Sequence, residues 1–143
     1  MTFSGNDFDF WLGSWRVTDG ATGAAGTNEL TRTLGGKVIE ERFTFPGPDG
    51  QPYLGVSHTV LVPDRGWCQT WVDNQGLYLD FEGGIIDGVP TLSRGAHVDG
   101  VDVLQRMTFS DITPDSLVWQ WWRTAAGTVD WIVQWRLDYT RIG

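Results

Sequence analysis

Few residues in this chain are of types that do chemistry, and their placement limits what chemistry is available. His58 and His97 are the two histidines, and Cys68 is the one cysteine. No Cys or His pair has the spacing of a metal site, and one cysteine cannot form an internal disulfide. A carboxylate-only Mg or Ca site would need the Asp-Gly segments, which read more simply as turns. No Gly-x-Gly-x-x-Gly or P-loop string is present to cradle a phosphate, and no Gly-x-Ser-x-Gly elbow to present a nucleophile. No cofactor and no metal is expected.

His58 shares the alternation of Leu54, Val56, Val60 and Val62, which predicts that it faces the interior. Burial would hold the imidazole neutral and ready to give or take a proton. The competing reading is a core histidine satisfied by a neighbouring carbonyl or carboxylate. Glu41 alternates with Ile39, Phe43 and Phe45 and reads as an inward carboxylate, which must be paired or neutralised. Arg106 and Arg123 are the available partners, in a structural bridge or a ligand anchor. A catalytic reading joins His58 as base or acid to Glu41 and Arg106 as orienting charges, for proton transfer, cyclisation or dehydration. Cys68 has no basic neighbour in sequence and reads as an inert thiol. His97 sits beside the Asp99-Gly100 turn and is expected to be solvated.

Aromatic residues set among amides form the other candidate site. Trp67, Gln69 and Trp71 share one face of their stretch, and Gln120 shares a face with Trp122. Trp131, Val133, Trp135, Leu137 and Tyr139 share a face near the end of the chain. If these faces point inward, Trp67, Gln69, Trp71, Gln120, Trp122, Trp135 and Tyr139 line a cavity suited to a flat, partly polar organic ligand. The alternative is that the Trp side chains fill the core while the amides face solvent. The run Trp119-Gln120-Trp121-Trp122 puts aromatics on both faces in any register. At least one Trp is therefore expected outside, at a barrel end or in a homodimer contact.

These residues must be held by strands, because alternation dominates the chain. Ten stretches alternate and are rich in Val, Ile, Thr and aromatics: 14–19, 27–33, 38–45, 53–62, 67–73, 77–86, 89–96, 103–111, 116–124 and 130–140. Between them stand turn residues such as Pro48-Asp49-Gly50, Asp87-Gly88 and Asp99-Gly100. One short helical turn is expected near Asp7–Leu12, capped by Asn6 or Asp7. The 143 residues, with 41% hydrophobic content and nine Trp, fit one all-β domain over 1–143. Short connections favour an antiparallel up-and-down barrel of eight to ten strands.

The opening Asp7-Phe8-Asp9-Phe10-Trp11-Leu12-Gly13-Ser14-Trp15 resembles the start of calycin barrels, where the Trp closes one end. With Gly26-Thr27-Asn28-Glu29-Leu30, Trp67-Cys68-Gln69-Thr70-Trp71-Val72-Asp73-Asn74, Leu79-Asp80-Phe81-Glu82-Gly83-Gly84 and Leu137-Asp138-Tyr139-Thr140-Arg141, it is similar to a bacterial group of lipocalin-like domains, the DUF1579-type group. The resemblance implies a calycin-like barrel with an interior cavity and implies no shared reaction. Nitrobindin-like relatives place a haem-ligating His late in the chain. Here the last is His97, so haem is not expected.

The net charge of −8 argues against nucleic acid and anionic membrane surfaces as partners. No apolar run reaches the roughly 18 residues of a membrane span, and no secretory leader is readable at the start. The expectation is a cytoplasmic protein that binds a small hydrophobic or aromatic molecule inside its barrel.

Overall fold

The computed structural model describes residues 2–142. Ten antiparallel strands run in order: β1 (Gly13–Asp19), β2 (Ala25–Thr33), β3 (Val38–Pro46), β4 (Pro52–Val62), β5 (Gly66–Asp73), β6 (Tyr78–Ile86), β7 (Val89–Val98), β8 (Val101–Ser110), β9 (Ser116–Thr124) and β10 (Trp131–Arg141). Each strand pairs with its neighbours in sequence, and β1 also pairs with β10, closing an up-and-down barrel. Every expected strand is found, with ends displaced by about two residues or fewer. Two-residue turns at Asp87-Gly88 and Asp99-Gly100 hold both central residues at positive φ, the geometry that matches strand twist in tight hairpins.

A 3-10 turn, Asp9–Trp11, covers one end of the barrel, here called the lower end. No side chain caps its first residue. Asp7 instead accepts from the backbone N–H of Ser4 and from Trp67 Nε1 (both 3.0 Å), tying the turn to the barrel. Phe8, Trp11, Trp15, Trp67 and Phe109 are fully buried beneath it. Their rings meet edge to face, Phe8–Trp67 and Trp11–Phe109 both at 5.1 Å between centroids.

The Gly-x-Trp of the opening has a geometric cause. The Arg141 guanidinium lies 4.1 Å from the Trp15 ring centroid and donates to the carbonyls of Leu12 (2.7 Å) and Phe10 (3.3 Å). A Cβ on Gly13 would lie 2.2 Å from Arg141 Nη1, so glycine leaves the path by which the last strand reaches the turn. Trp15 Nε1 donates in turn to the Trp11 carbonyl at 2.8 Å.

Two features of the wall matter for the interior. A bulge between Val133 and Trp135 on β10 shifts the register against β9. Alternation therefore breaks there: Trp135, Leu137 and Tyr139 point inward, whereas Trp131 and Val133 belong to the outer face. The β6–β7 ladder is partial, pairing Glu82–Ile86 with Val89–Ser93. Above it the two strands separate.

Candidate functional site

The upper half of the barrel encloses a cavity of about 180 Å³. Its walls are Phe43, Trp71, Trp119, Trp121 and Trp135, with Tyr53 and Leu77 at the mouth and Glu41 and Tyr139 among the deeper lining residues. Among the described residues no arginine, lysine or histidine lines it. The aromatic walls are held in mutual edge contacts: Trp119–Trp135 at 5.7 Å, Phe43–Trp135 at 6.2 Å and Phe43–Trp71 at 6.2 Å. They remain half-buried because their free faces border the cavity.

Small residues on β4 make this space possible. Its inward side chains include Gly55, Ser57 and Thr59. A Cβ on Gly55 would meet the Trp71 ring at 2.1 Å, so the indole lies across the glycine. Ser57 and Thr59 receive the large polar side chains of neighbouring strands. Ser57 Oγ donates to Glu41 Oε1 at 2.7 Å, and Gln69 Nε2 donates to Thr59 Oγ1 at 2.9 Å.

Glu41 is only 7% exposed, and among the described residues no cation lies within salt-bridge distance of it. Asn28 Nδ2 donates to its other oxygen at 2.7 Å and to the Tyr139 hydroxyl at 2.9 Å. Burial pushes the Glu41 carboxyl above the usual carboxylate range, outweighing the opposing hydrogen bonds from Ser57 and Asn28. Burial, reinforced by the charge of Glu41, likewise raises the Tyr139 phenol. Buried Asn28 Oδ1 has no hydrogen-bond partner among the described residues. The cluster is rich in acceptors.

At the mouth the carboxylates are of another kind. Asp73 accepts from the Tyr53 hydroxyl (2.6 Å) and Trp71 Nε1 (3.1 Å), and Asp19 accepts from Trp135 Nε1 (3.1 Å). Partial burial opposes ionisation of Asp73, yet its donors, led by Tyr53 and Trp71, hold its pKa below the ordinary value. The Ala21 N–H, followed by the Trp135 indole, does the same for Asp19.

The residues singled out from sequence divide between the two faces. Trp67, Gln69, Trp71, Trp135, Tyr139 and Glu41 face inward; Trp67 and Gln69 are buried below the cavity, and the other four line it. His58 does not face inward. Its side chain is 48% exposed and sits 3.6 Å from Glu40 on the outer face. The bulky aliphatics that suggested its orientation lie outside with it, because the inner face of β4 is kept small for its neighbours' side chains. Gln120 and Trp122 also point outward, and Trp119 and Trp121 supply the lining instead. Their register follows the buried Leu117.

Arg106 and Arg123 do not pair with Glu41. Arg106 lies on the outer face between Trp122 and Trp131, 5.5 and 4.0 Å from their ring centroids. The triad of His58, Glu41 and Arg106 is thus divided by the barrel wall. His97 is exposed and 2.8 Å from Asp102. Cys68 has its thiol pKa raised by burial and, with His58, Asp80 and Arg94, lines an outer groove of about 390 Å³ where β6 and β7 part. Among the described residues no three His, Cys, Asp or Glu side chains are placed to hold a metal ion.

Besides Trp119 and Trp121, the polar residues Asn28 and Ser57 are site residues that sequence reasoning misses. Asn28 sits two residues before buried Leu30, a parity that marks it as inward. Ser57 carried no such signal, since its own face is made of small and polar residues.

No protein-family model matches the chain, and no curated protein matches it. Among solved structures, a de novo designed fluorescence-activating β-barrel is similar, with 17% identity over 95% of this chain and 98% of that one and a TM-score of 0.47.

Proposed function

We propose that this barrel binds a small aromatic molecule in its upper cavity. The observation that carries the reading is the open space walled by Trp71, Trp119, Trp121 and Trp135 in a barrel whose other end is densely packed. An apolar cavity of roughly 150 Å³ is enough to hold benzene, so about 180 Å³ has room for one ring with a short substituent or a small fused pair such as indole. Long acyl chains and macrocycles are too large. The closing of the lower end by Gly13, Trp15 and Arg141 supports the further proposal that the chain is a lipocalin-like member of the calycin barrels.

A second reading, proton-transfer catalysis, is favoured by Glu41. A buried carboxyl with a raised pKa beside Tyr139 in an aromatic pocket has the environment of a general acid or base. On this reading Glu41 replaces His58 as the proton carrier.

Calorimetric titration with indole and related one- and two-ring aromatics tests the binding reading. Saturable 1:1 binding is expected, abolished by Leu79→Trp, which fills the cavity from its wall. Absence of saturable binding across such a panel, with the fold intact by circular dichroism, overturns it.

A further inference from the structure

The carboxylate within the cavity narrows the ligand class, on the premise that the cavity binds a ligand at all. We propose that the ligand is a small arylalkylamine, bound as its ammonium, with N–H groups donating to Glu41 and its ring between the tryptophan walls.

Three independent observations lead there. The first is the unbalanced acid. Glu41 takes one hydrogen bond on each oxygen, from Asn28 and Ser57, while a carboxylate offers about four acceptor positions. Acceptor capacity is left over on a side chain that lines the cavity. Among the described residues no cation compensates it, and the neighbouring titratable groups that feel its charge are the Tyr139 and Tyr53 phenols. A buried charge without a partner is costly, and a cationic ligand would remove that cost on binding.

The second is the wall. Aromatic faces attract a cation through their quadrupole, most strongly when water is excluded, and rings grouped around a cavity form the usual cage for an organic ammonium. Here Phe43, Trp71, Trp119, Trp121 and Trp135 border the same space as Glu41.

The third is the approach. Asp19 and Asp73 stand at the mouth, holding the Trp135, Trp71 and Tyr53 side chains that frame it. Ionised carboxylates at a low-dielectric opening raise the local concentration of cations and repel anions. An aromatic carboxylate would meet like charge on the Asp19–Asp73 side of the mouth and again at Glu41 within.

The test compares three probes of similar shape at pH 7.5 by titration calorimetry: 2-phenylethylamine, propylbenzene and 3-phenylpropionate. The amine is expected to bind at least about tenfold more tightly than propylbenzene, a difference of about 1.4 kcal/mol, with the carboxylate weakest. In Glu41→Gln, which keeps the shape of the side chain and offers one acceptor for Asn28 and one donor that the Ser57 hydroxyl can accept, that preference should vanish while the melting temperature does not fall. Propylbenzene or the carboxylate binding as tightly as the amine overturns the amine assignment and leaves the cavity reading intact. So does a preference that survives in Glu41→Gln. Should none of the three bind, the cavity reading itself fails. The wild-type comparison decides the matter even if the variant does not fold.

Discussion

The two halves of this barrel are built from the same residue types and reach opposite ends. Below, Trp11, Trp15 and Trp67 are buried to within 2% of full enclosure. Above, Trp71, Trp119, Trp121 and Trp135 are only half-buried. Strand length and pairing do not separate them, since the same strands supply both. The difference is the 3-10 turn Asp9–Trp11, which adds Phe8 and Trp11 to the lower interior, whereas the 3-10 turn at the upper end, Pro48–Gly50, buries no residue. Tryptophan content alone therefore marks neither core nor site. Whether something covers the end of the barrel decides which one the rings become.

Truncation should separate the halves most sharply. Trp15→Ala removes a fully buried ring along with its hydrogen bond to Trp11 and its contact with Arg141, and is expected to cost about 3–5 kcal/mol. Trp121→Ala removes a ring that already borders open space, and should cost about 1–2 kcal/mol because the cavity term is largely present beforehand. Its effect on ligand affinity should be the larger of the two. Urea unfolding of both variants, followed by indole titration, checks the pair. Equal stability losses would mean that the upper rings are core and the proposed division is false.

The closure of the lower end is the next point of attack. Arg141→Ala deletes two hydrogen bonds to the carbonyls of the turn and the stack on Trp15. A loss of about 1–3 kcal/mol is expected. The cavity above should be untouched, so binding of an aromatic probe measured well below the melting temperature should not change. A fall in affinity would show that the ends are coupled.

Gly55→Ala acts in the opposite half. The added methyl collides with the Trp71 ring, and relieving the contact moves the indole into the cavity. Overpacking of this kind costs about 1–3 kcal/mol. It should weaken binding, whereas Gly95→Ala, where a Cβ meets nothing within 4 Å, serves as the control. Affinity unchanged in Gly55→Ala would mean that Trp71 is not a wall of the occupied site.

The sequence made the ten strands and most turns legible, since alternation and Asp-Gly pairs act locally. Facing was harder. Alternation places Glu41 inward, where it lies, because Ile39, Phe43 and Phe45 set an unambiguous parity. The same alternation misplaces His58 because β4 inverts the usual contrast, with Leu54, Val56 and Val60 outside and Gly55, Ser57 and Thr59 inside. A barrel interior has fixed volume, so one strand must be small where its neighbours are large, and that complementarity spans residues distant in sequence. The β10 bulge reversed Trp131 and Val133 for a related reason: an extra residue changes facing without changing composition.

The pH dependence of Glu41 is the subtlest difference between the halves. Burial favours its neutral form in the fold, so its contribution to stability is complete below the ordinary carboxylate pKa and is lost as pH rises through the raised folded value. Asn28 from β2, Ser57 from β4 and Tyr139 from β10 surround it, and of these only the phenol titrates, far to the alkaline side. Glu41→Gln does not ionise and should melt above wild type at pH 8. The gap should close as pH falls toward 5. Asp19 and Asp73, whose lowered pKa values make acid destabilising, are common to both proteins and cancel in the difference. Melting curves of the two proteins between pH 5 and 8 measure it directly. A pH-independent gap would place the Glu41 charge in water, and a buried acid would then no longer distinguish the cavity from the packed end.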